Sequence, residues 1–501
     1  MESTPPVSQT PTVGKGVEAV LPEHHSRRWM VLAVVALAQL MVVLDATVVN
    51  IALPSAQHAL NFSNADRQWI VTGYALSFGS LLLLGGRVAD IVGRKRVFII
   101  GLAGFAVASA IGGAATGFPM LVTARIVQGI FGALLAPTAL SILTTTFVDP
   151  SERGKAFGVF GAIAGAGGAI GLLLGGFLTE YLSWRWSLYV NLVFAILAII
   201  GASVFLDAHR GEDRHRLDIP GVVSASAAMF SLVYGFSHAE TAGWSSPVTI
   251  GFLVAAVVLL VAFVLIELRV KNPLLPLRIV LDRDRGGSYL AIFISAVGMF
   301  GIFLFLTYYL QQTLGFSPVM TGVAFLPMIG VLIVMSTLSN TVLLGRVGAK
   351  PLVSIGMVLA AVGMLLLTRI GVHSSYASTV LPSLLVMGLG LGAVFAPAIN
   401  MSTAGVQPED AGVASATVNT AQQVGGSIGT ALLNTLAATA ATRYLVGKKA
   451  TTSVIALATV HSYVVTFEIS AGIFLVGALL GVSLLRRGAK PVPAEAGAVV
   501  L

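Results

Sequence analysis

The chain reads as an all-α integral membrane protein of fourteen transmembrane helices, on three observations. Only 10% of its 501 residues are charged and 56% are hydrophobic, where soluble domains carry roughly 25% charged residues. Its apolar runs repeatedly reach the roughly 20 residues that cross a bilayer. Lys and Arg gather on alternate loops. With the N-terminus inside, 22 of the 29 fall on the inner side, six on the outer side, and Arg125 lies within a span. That bias places both termini in the cytoplasm, and it accounts for the net charge of +8 without nucleic acid.

The fourteen spans fall at about 29–54, 68–86, 97–117, 119–147, 156–178, 184–206, 218–238, 247–268, 287–311, 318–343, 351–372, 378–401, 412–437 and 462–485. Residues 1–28 are expected to form a disordered cytoplasmic tail, rich in Ser, Thr, Pro and Glu and without the apolar core of a signal peptide. The first span then serves as the membrane address. Residues 486–501 form a second cytoplasmic tail.

An internal repeat divides the rest. Gly132-Ala133-Leu134-Leu135-Ala136-Pro137 matches Gly392-Ala393-Val394-Phe395-Ala396-Pro397. Pro150-Ser151-Glu152-Arg153-Gly154 matches Pro408-Glu409-Asp410-Ala411-Gly412, and Gly167-Gly168-Ala169-Ile170-Gly171 matches Gly425-Gly426-Ser427-Ile428-Gly429. The offsets are 260, 258 and 258 residues, and the matched spans run in the same direction. Parallel repeats of this kind relate two six-helix halves, here 29–206 and 287–485. The segment 207–286 between them carries two extra spans, which read as a packing or half-linking insertion.

The first span holds Asp45, sixteen residues from Trp29 and nine from Pro54, in its outer half. A carboxylate at such depth costs roughly 2.5–3.5 kcal/mol on insertion scales and as a rule faces the bundle interior. Such a group can take up and release a proton; the alternative is a structural acid that pairs with an Arg and never titrates. In the fourth span Arg125 lies only about 9 Å below Pro119 at 1.5 Å rise per residue. Asp45 and Arg125 therefore stand at similar depth, and Gln128 and Gly129 share the face of Arg125. An Arg never sheds its proton, but it can set when a neighbouring acid does.

Between the second and third spans lies Gly86-Arg87-Val88-Ala89-Asp90-Ile91-Val92-Gly93-Arg94-Lys95-Arg96. An acid, two glycines and a basic cluster at a helix mouth suit a gate hinge, with Gly86, Asp90, Gly93 and Arg94 as its parts. The same residues also suit a charged, topology-setting loop. A worn copy stands at Gly345-Arg346-Val347-Gly348-Ala349-Lys350. The fifth span carries Gly167, Gly171, Gly175 and Gly176 among eight glycines at mostly helical spacing, a pattern that lets backbones approach closely. Close packing there serves structure or seals a central path. Glu468 in the last span is either a second proton site or an acid paired locally, for which His461 is the nearest candidate. Met299, Phe300, Tyr308, Tyr309 and Met328 are candidates for cavity lining and equally for core.

Four of these segments together resemble the fourteen-span drug:proton antiporters of the major facilitator superfamily. Residues 44–54 are similar to the first-helix signature L-D-x-T-V-V-N-x-A-L-P, and residues 86–95 to the superfamily gate motif. Residues 121–133 resemble the fourth-span motif with its Arg and Gln-Gly. Residues 161–178, followed by Trp184-Arg185-Trp186, resemble the antiporter glycine motif. Two departures stand out: Leu172 where the glycine motif usually has Pro, and Ile91 where the gate motif usually has a basic residue.

The resemblance implies a major facilitator fold in the cell membrane and export of small, amphipathic toxic compounds (drugs or antibiotics) in exchange for protons. It implies Asp45 and Arg125 as the coupling pair, and Asp90 with Arg94 as the cytoplasmic gate. A facilitator for one defined metabolite or natural product is the alternative. The expected partners are a small-molecule substrate, protons and lipid, with no nucleic acid and no obligatory protein partner. No cofactor beyond the proton gradient is expected. Each Gly-Lys pair lacks the following Ser or Thr of a phosphate-binding loop. The chain has no cysteine, so thiol catalysis and Cys-ligated metal sites are excluded. An enzyme would need embedded His, Asp or Glu on adjacent spans, and Asp45 and Glu468 are far apart; no catalytic or metal-ligating residue is assigned.

Overall fold

The computed structural model describes residues 22–147, 149–207, 218–270, 273, 275–404, 406, 411–449 and 451–486. Every regular element among them is helical: α1 (Pro22–Leu60), α2 (Asn64–Val92), α3 (Arg94–Gly113), α4 (Phe118–Thr146), α5 (Pro150–Tyr181), α6 (Trp186–Phe205), α7 (Ile219–Ala242), α8 (Pro247–Glu267), α9 (Leu277–Val280), α10 (Arg283–Tyr308), α11 (Pro318–Leu338), α12 (Leu344–Val347), α13 (Ala349–Leu367), α14 (Leu381–Thr403), α15 (Ala411–Leu445) and α16 (Thr452–Leu484). Three π-helical turns extend α10 (Tyr309–Thr313), join α11 to α12 (Ser339–Leu343) and lead into α14 (Tyr376–Val380). Most of both expected tails, the charged loop before α7 and the side chains of Asp90 and Phe300 lie outside the described residues.

Among the described residues, eleven helices are long and apolar enough to cross a membrane. The other long helices, α2, α5 and α15, are 29, 32 and 35 residues long, each enough to cross a bilayer. All three lie where one half meets the other, so they face protein on several sides. The first helix runs past Pro54, where the sequence reading ended its span, to Leu60. A proline that close to a helix end removes a single backbone donor, and the last turns persist around it. At the next helix start, Ser63 and Asp66 form a reciprocal capping box, each side chain accepting from the other's backbone N–H.

The repeat in sequence is a repeat in packing. In the first half α1 packs on α5 and α6, α4 on α2 and α3, and α3 on α6. In the second, α10 packs on α15 and α16, α14 on α11 and α13, and α13 on α16. The matched motifs put one internal proline in each of α4 and α14, Pro137 and Pro397. The gate motif and its worn copy each join two helices through one glycine of positive φ, Gly93 at 101° and Gly348 at 81°. Only glycine adopts such a conformation without strain.

The halves meet along two seams, α2 against α15 and α5 against α11. The inserted helix α7 packs against α8, and also against both α2 and α15. Val233 of α7 shares a small apolar cluster with Val424, Ile428 and Ala431 of α15 and Leu76 of α2. The Thr435 hydroxyl donates to the Phe236 carbonyl at 2.8 Å. The insertion therefore covers one seam only. Its second helix stands outermost, with Val254, Val257, Val258 and Val261 exposed.

Candidate functional site

Asp45 is fully buried in α1. Arg125 of α4, 2% exposed, donates from Nη1 to Asp45 Oδ2 at 2.6 Å. The same Nη1 also donates to Gln128 Oε1 at 2.7 Å, and Arg125 Nε reaches the Ile70 carbonyl of α2 at 3.4 Å. The guanidinium lies over the Tyr74 ring, 4.3 Å from its centroid. The other carboxylate oxygen of Asp45 accepts from Gln128 Nε2 at 3.1 Å and from Asn191 Nδ2 of α6 at 2.8 Å. Ser109 of α3 closes the cluster: its hydroxyl donates to the Phe105 carbonyl and accepts from Gln128 Nε2 at 2.6 Å. Five helices (α1, α2, α3, α4 and α6) thus contribute to one cluster, and α4 and α6 reach the carboxylate itself.

Burying an ion pair removes hydration from both charges, and the attraction compensates only if the remaining lone pairs and protons find partners. Here every partner of Asp45 is a donor, which suits the charged carboxylate. The chemistry available is proton binding: adding a proton to Asp45 cancels one charge and leaves Arg125 uncompensated in a low-dielectric interior.

The sequence brings Asp45, Arg125 and Gln128 to one depth, and the structure joins them directly. Asn191, Ser109 and Tyr74 are the members that sequence reading missed. Asn191 lies 146 residues from Asp45, so no local spacing links the two. The one available signal was an amide within α6, a span otherwise nearly free of polar side chains. The partner proposed for Glu468 is a correction. Glu468 lies on the exposed side of α16 and His461 packs its ring against Tyr444 at 5.0 Å. Seven residues along a helix place two side chains about 10 Å apart, too far for the pairing. Tyr308, Tyr309 and Met328 are buried in the core, and Met299 packs against it.

The glycine motif divides between two surfaces. An added Cβ at Gly171 would run into Thr47, and at Gly175 would lie 2.9 Å from Val48 Cα. These glycines press α5 onto the stretch of α1 that carries Asp45. Gly176 faces the other half, where a Cβ would meet the Pro318 carbonyl oxygen at 2.7 Å. Gly167 also packs on α1, against Val43. In the gate motif, Gly86 faces Pro137 of α4, and Lys95 Nζ caps the end of α6 by donating to the Ser203 and Leu206 carbonyls at 2.8 and 2.6 Å. Asp90 occupies the last turn of α2, and Arg94 opens α3.

Polar contacts close the seams at one end of the bundle, where α1 ends and α2 begins. Arg67 of α2 lies over the Tyr308 ring of α10 at 3.5 Å, donates to Gln57 Oε1 at 3.1 Å and meets the Tyr463 hydroxyl of α16. Gln311 Nε2 donates to the Ile51 carbonyl at 3.1 Å, and the Val319 N–H donates to Glu180 at 3.0 Å. At the opposite end, the ion pairs Arg27–Asp207 and Arg28–Glu152 and the Arg283–Leu484 cap each join helices of a single half.

The chain is 47% identical to the puromycin resistance protein pur8 of Streptomyces alboniger over 96% of its own length and 95% of the relative's. It is 36% identical to the tetracenomycin C resistance and export protein of Streptomyces glaucescens, over 82% of this chain and 76% of that one. Among solved structures, an auto-inhibited POT family peptide transporter superposes with a TM-score of 0.66 at 16% identity, over 93% of this chain and 99% of the other. The human organic anion transporter MFSD10 superposes at 0.58 and 17% identity, over 91% and 99%. These likenesses carry the fold. A family profile matches residues 35–430, from α1 into α15 and including the buried Asp45 and Arg125, and the chain belongs to the Major Facilitator Superfamily.

Proposed function

We propose that this protein exports antibiotic-type small molecules across the cell membrane in exchange for protons. The observation that carries the reading is the buried Asp45–Arg125 pair, in a chain whose relatives are named for antibiotic resistance and export. In this reading fourteen helices span the bilayer and both termini are cytoplasmic. The polar contacts across the seams, Arg67–Tyr308, Gln311–Ile51 and Val319–Glu180, then lie at the extracellular end. Asp45 takes a proton when the bundle opens outward and releases it inward, and Arg125 sets the affinity. Asp90 with Arg94, between Gly86 and Gly93, forms the gate that closes the cytoplasmic end. The exposed carboxyl of Glu468 stands apart from this path.

One proton moving down 100 mV supplies roughly 2.3 kcal/mol, enough for more than tenfold concentration of substrate. A second reading, a facilitator for one natural product, draws support from relatives that are each named for a single compound. Inverted membrane vesicles test the primary reading, with puromycin as the first substrate. Accumulation that a protonophore abolishes is the expected result. Accumulation that survives the protonophore, or equilibration without accumulation, would overturn proton coupling.

A further inference from the structure

Asn191 stands out because its amide is oriented entirely as a donor. Both Nδ2 hydrogens are used: one goes to Asp45 Oδ1 at 2.8 Å, the other points to Ser109 Oγ at 3.4 Å. Its Oδ1 has no hydrogen-bond partner, although the side chain is fully buried. A buried acceptor left open has a cost, so something must hold the amide this way round. The Asp45 carboxylate does so. Turning the amide over would set Asn191 Oδ1 against Asp45 Oδ1, two sets of lone pairs facing each other.

Protonation reverses that preference. A protonated carboxyl needs an acceptor for its new hydrogen, and every present partner of Asp45 is a donor. Gln128 cannot supply one, because its Oε1 is held by Arg125 Nη1 at 2.7 Å while its Nε2 serves Asp45 and Ser109. Asn191 can, by half a turn of its amide. The charged or titratable groups facing Asp45 are Arg125 from α4 and Tyr74 from α2. Against α1, α3 and α6 bring Ser109 and Asn191, and α5 brings glycines.

We propose that Asn191 is the positioning residue that reads the protonation state of Asp45: its amide donates to the carboxylate and turns to accept from the acid. The inference rests on the proton-coupled reading above. It gives α6 a part in the coupling cycle, because the proton arriving at α1 exchanges a bond to α6 as well as weakening the pair with α4.

Infrared difference spectroscopy of the purified full chain in liposomes, titrated with pH, tests it. The Asp45 carboxylic-acid band is identified by its loss in Asp45→Asn. In Asn191→Leu the carboxylate loses a charge-assisted donor and the acid loses a neutral acceptor; the first is worth more, so the band should appear at a higher pH, but by less than about one unit. The acid, without its acceptor, should absorb at higher frequency. Asn191→Gln, which keeps the amide, should restore part of the wild-type band. An Asp45 band whose midpoint and frequency are the same in wild type and Asn191→Leu overturns the role of Asn191 and leaves proton coupling standing. A wild-type protein with no titrating Asp45 band removes the coupling reading itself, and the Asn191 role with it.

Discussion

The two halves share a repeat, a packing plan and a glycine joint, but their interiors differ in kind. The first half buries Asp45, Arg125, Gln128 and Asn191 in one network. In α10–α16 the buried polar residues among those described are all Ser or Thr. Its apolar core includes Met328, Met357, Met364 and Met387 together with Phe325 and Phe474. All three described π-turns also lie in the second half. Methionine fills irregular space and adapts, and π-turns loosen the helical register. The difference teaches that a duplicated bundle can diverge inside a shared packing plan: one half buries an ion pair in a polar network, the other packs methionine, phenylalanine, serine and threonine.

The sharpest way to break this contrast is to strand a charge. Asp45→Ala leaves Arg125 buried without its partner, which should cost about 3–5 kcal/mol and lower the thermal unfolding midpoint in detergent. Met387→Ala in the second half should cost about 2–5 kcal/mol through its cavity, yet transport should keep its wild-type pH dependence. A pH profile shifted by Met387→Ala would mean that the halves are not divided as described.

Smaller effects sharpen the comparison at the seams. Arg67→Gln removes the cation–π contact with Tyr308, an interaction of about 0.5–2 kcal/mol, and should favour opening at that end. The chain has no cysteine, so a single Gln311→Cys reporter, which gives up the bond to Ile51 in both backgrounds, reads the difference; an impermeant maleimide should label it several-fold faster with Arg67→Gln than without. Thr435→Ala removes the bond to the Phe236 carbonyl and should cost about 0.5–1.5 kcal/mol in thermal unfolding. Glu468→Gln should do least, leaving the midpoint of the transport pH profile unshifted within about half a unit.

The depth of Asp45 and Arg125 was legible because each can be counted from the end of its own apolar run, and a helix converts residues to ångströms. Gln128 was legible for the same reason, being one turn from Arg125. The repeat motifs pointed to a packing plan that recurs in both halves. Asn191 was not legible, since a lone amide in an apolar span carries no sign of what it meets 146 residues away. The pairing of Glu468 with His461 failed because one face of a helix is not one contact; at two turns apart each side chain turned elsewhere. The seam-covering position of α7 was likewise hidden, because an insertion has no partner in the repeat to show where it packs.

The central claim is that the Asp45 network couples proton to substrate, and proteoliposomes test it most directly. Substrate-induced proton release from acid-loaded vesicles is measured for wild type and for Asp45→Asn, which keeps the shape of the side chain. The account predicts a proton signal in wild type that disappears in Asp45→Asn. An undiminished signal in Asp45→Asn, with substrate transport intact, would contradict it.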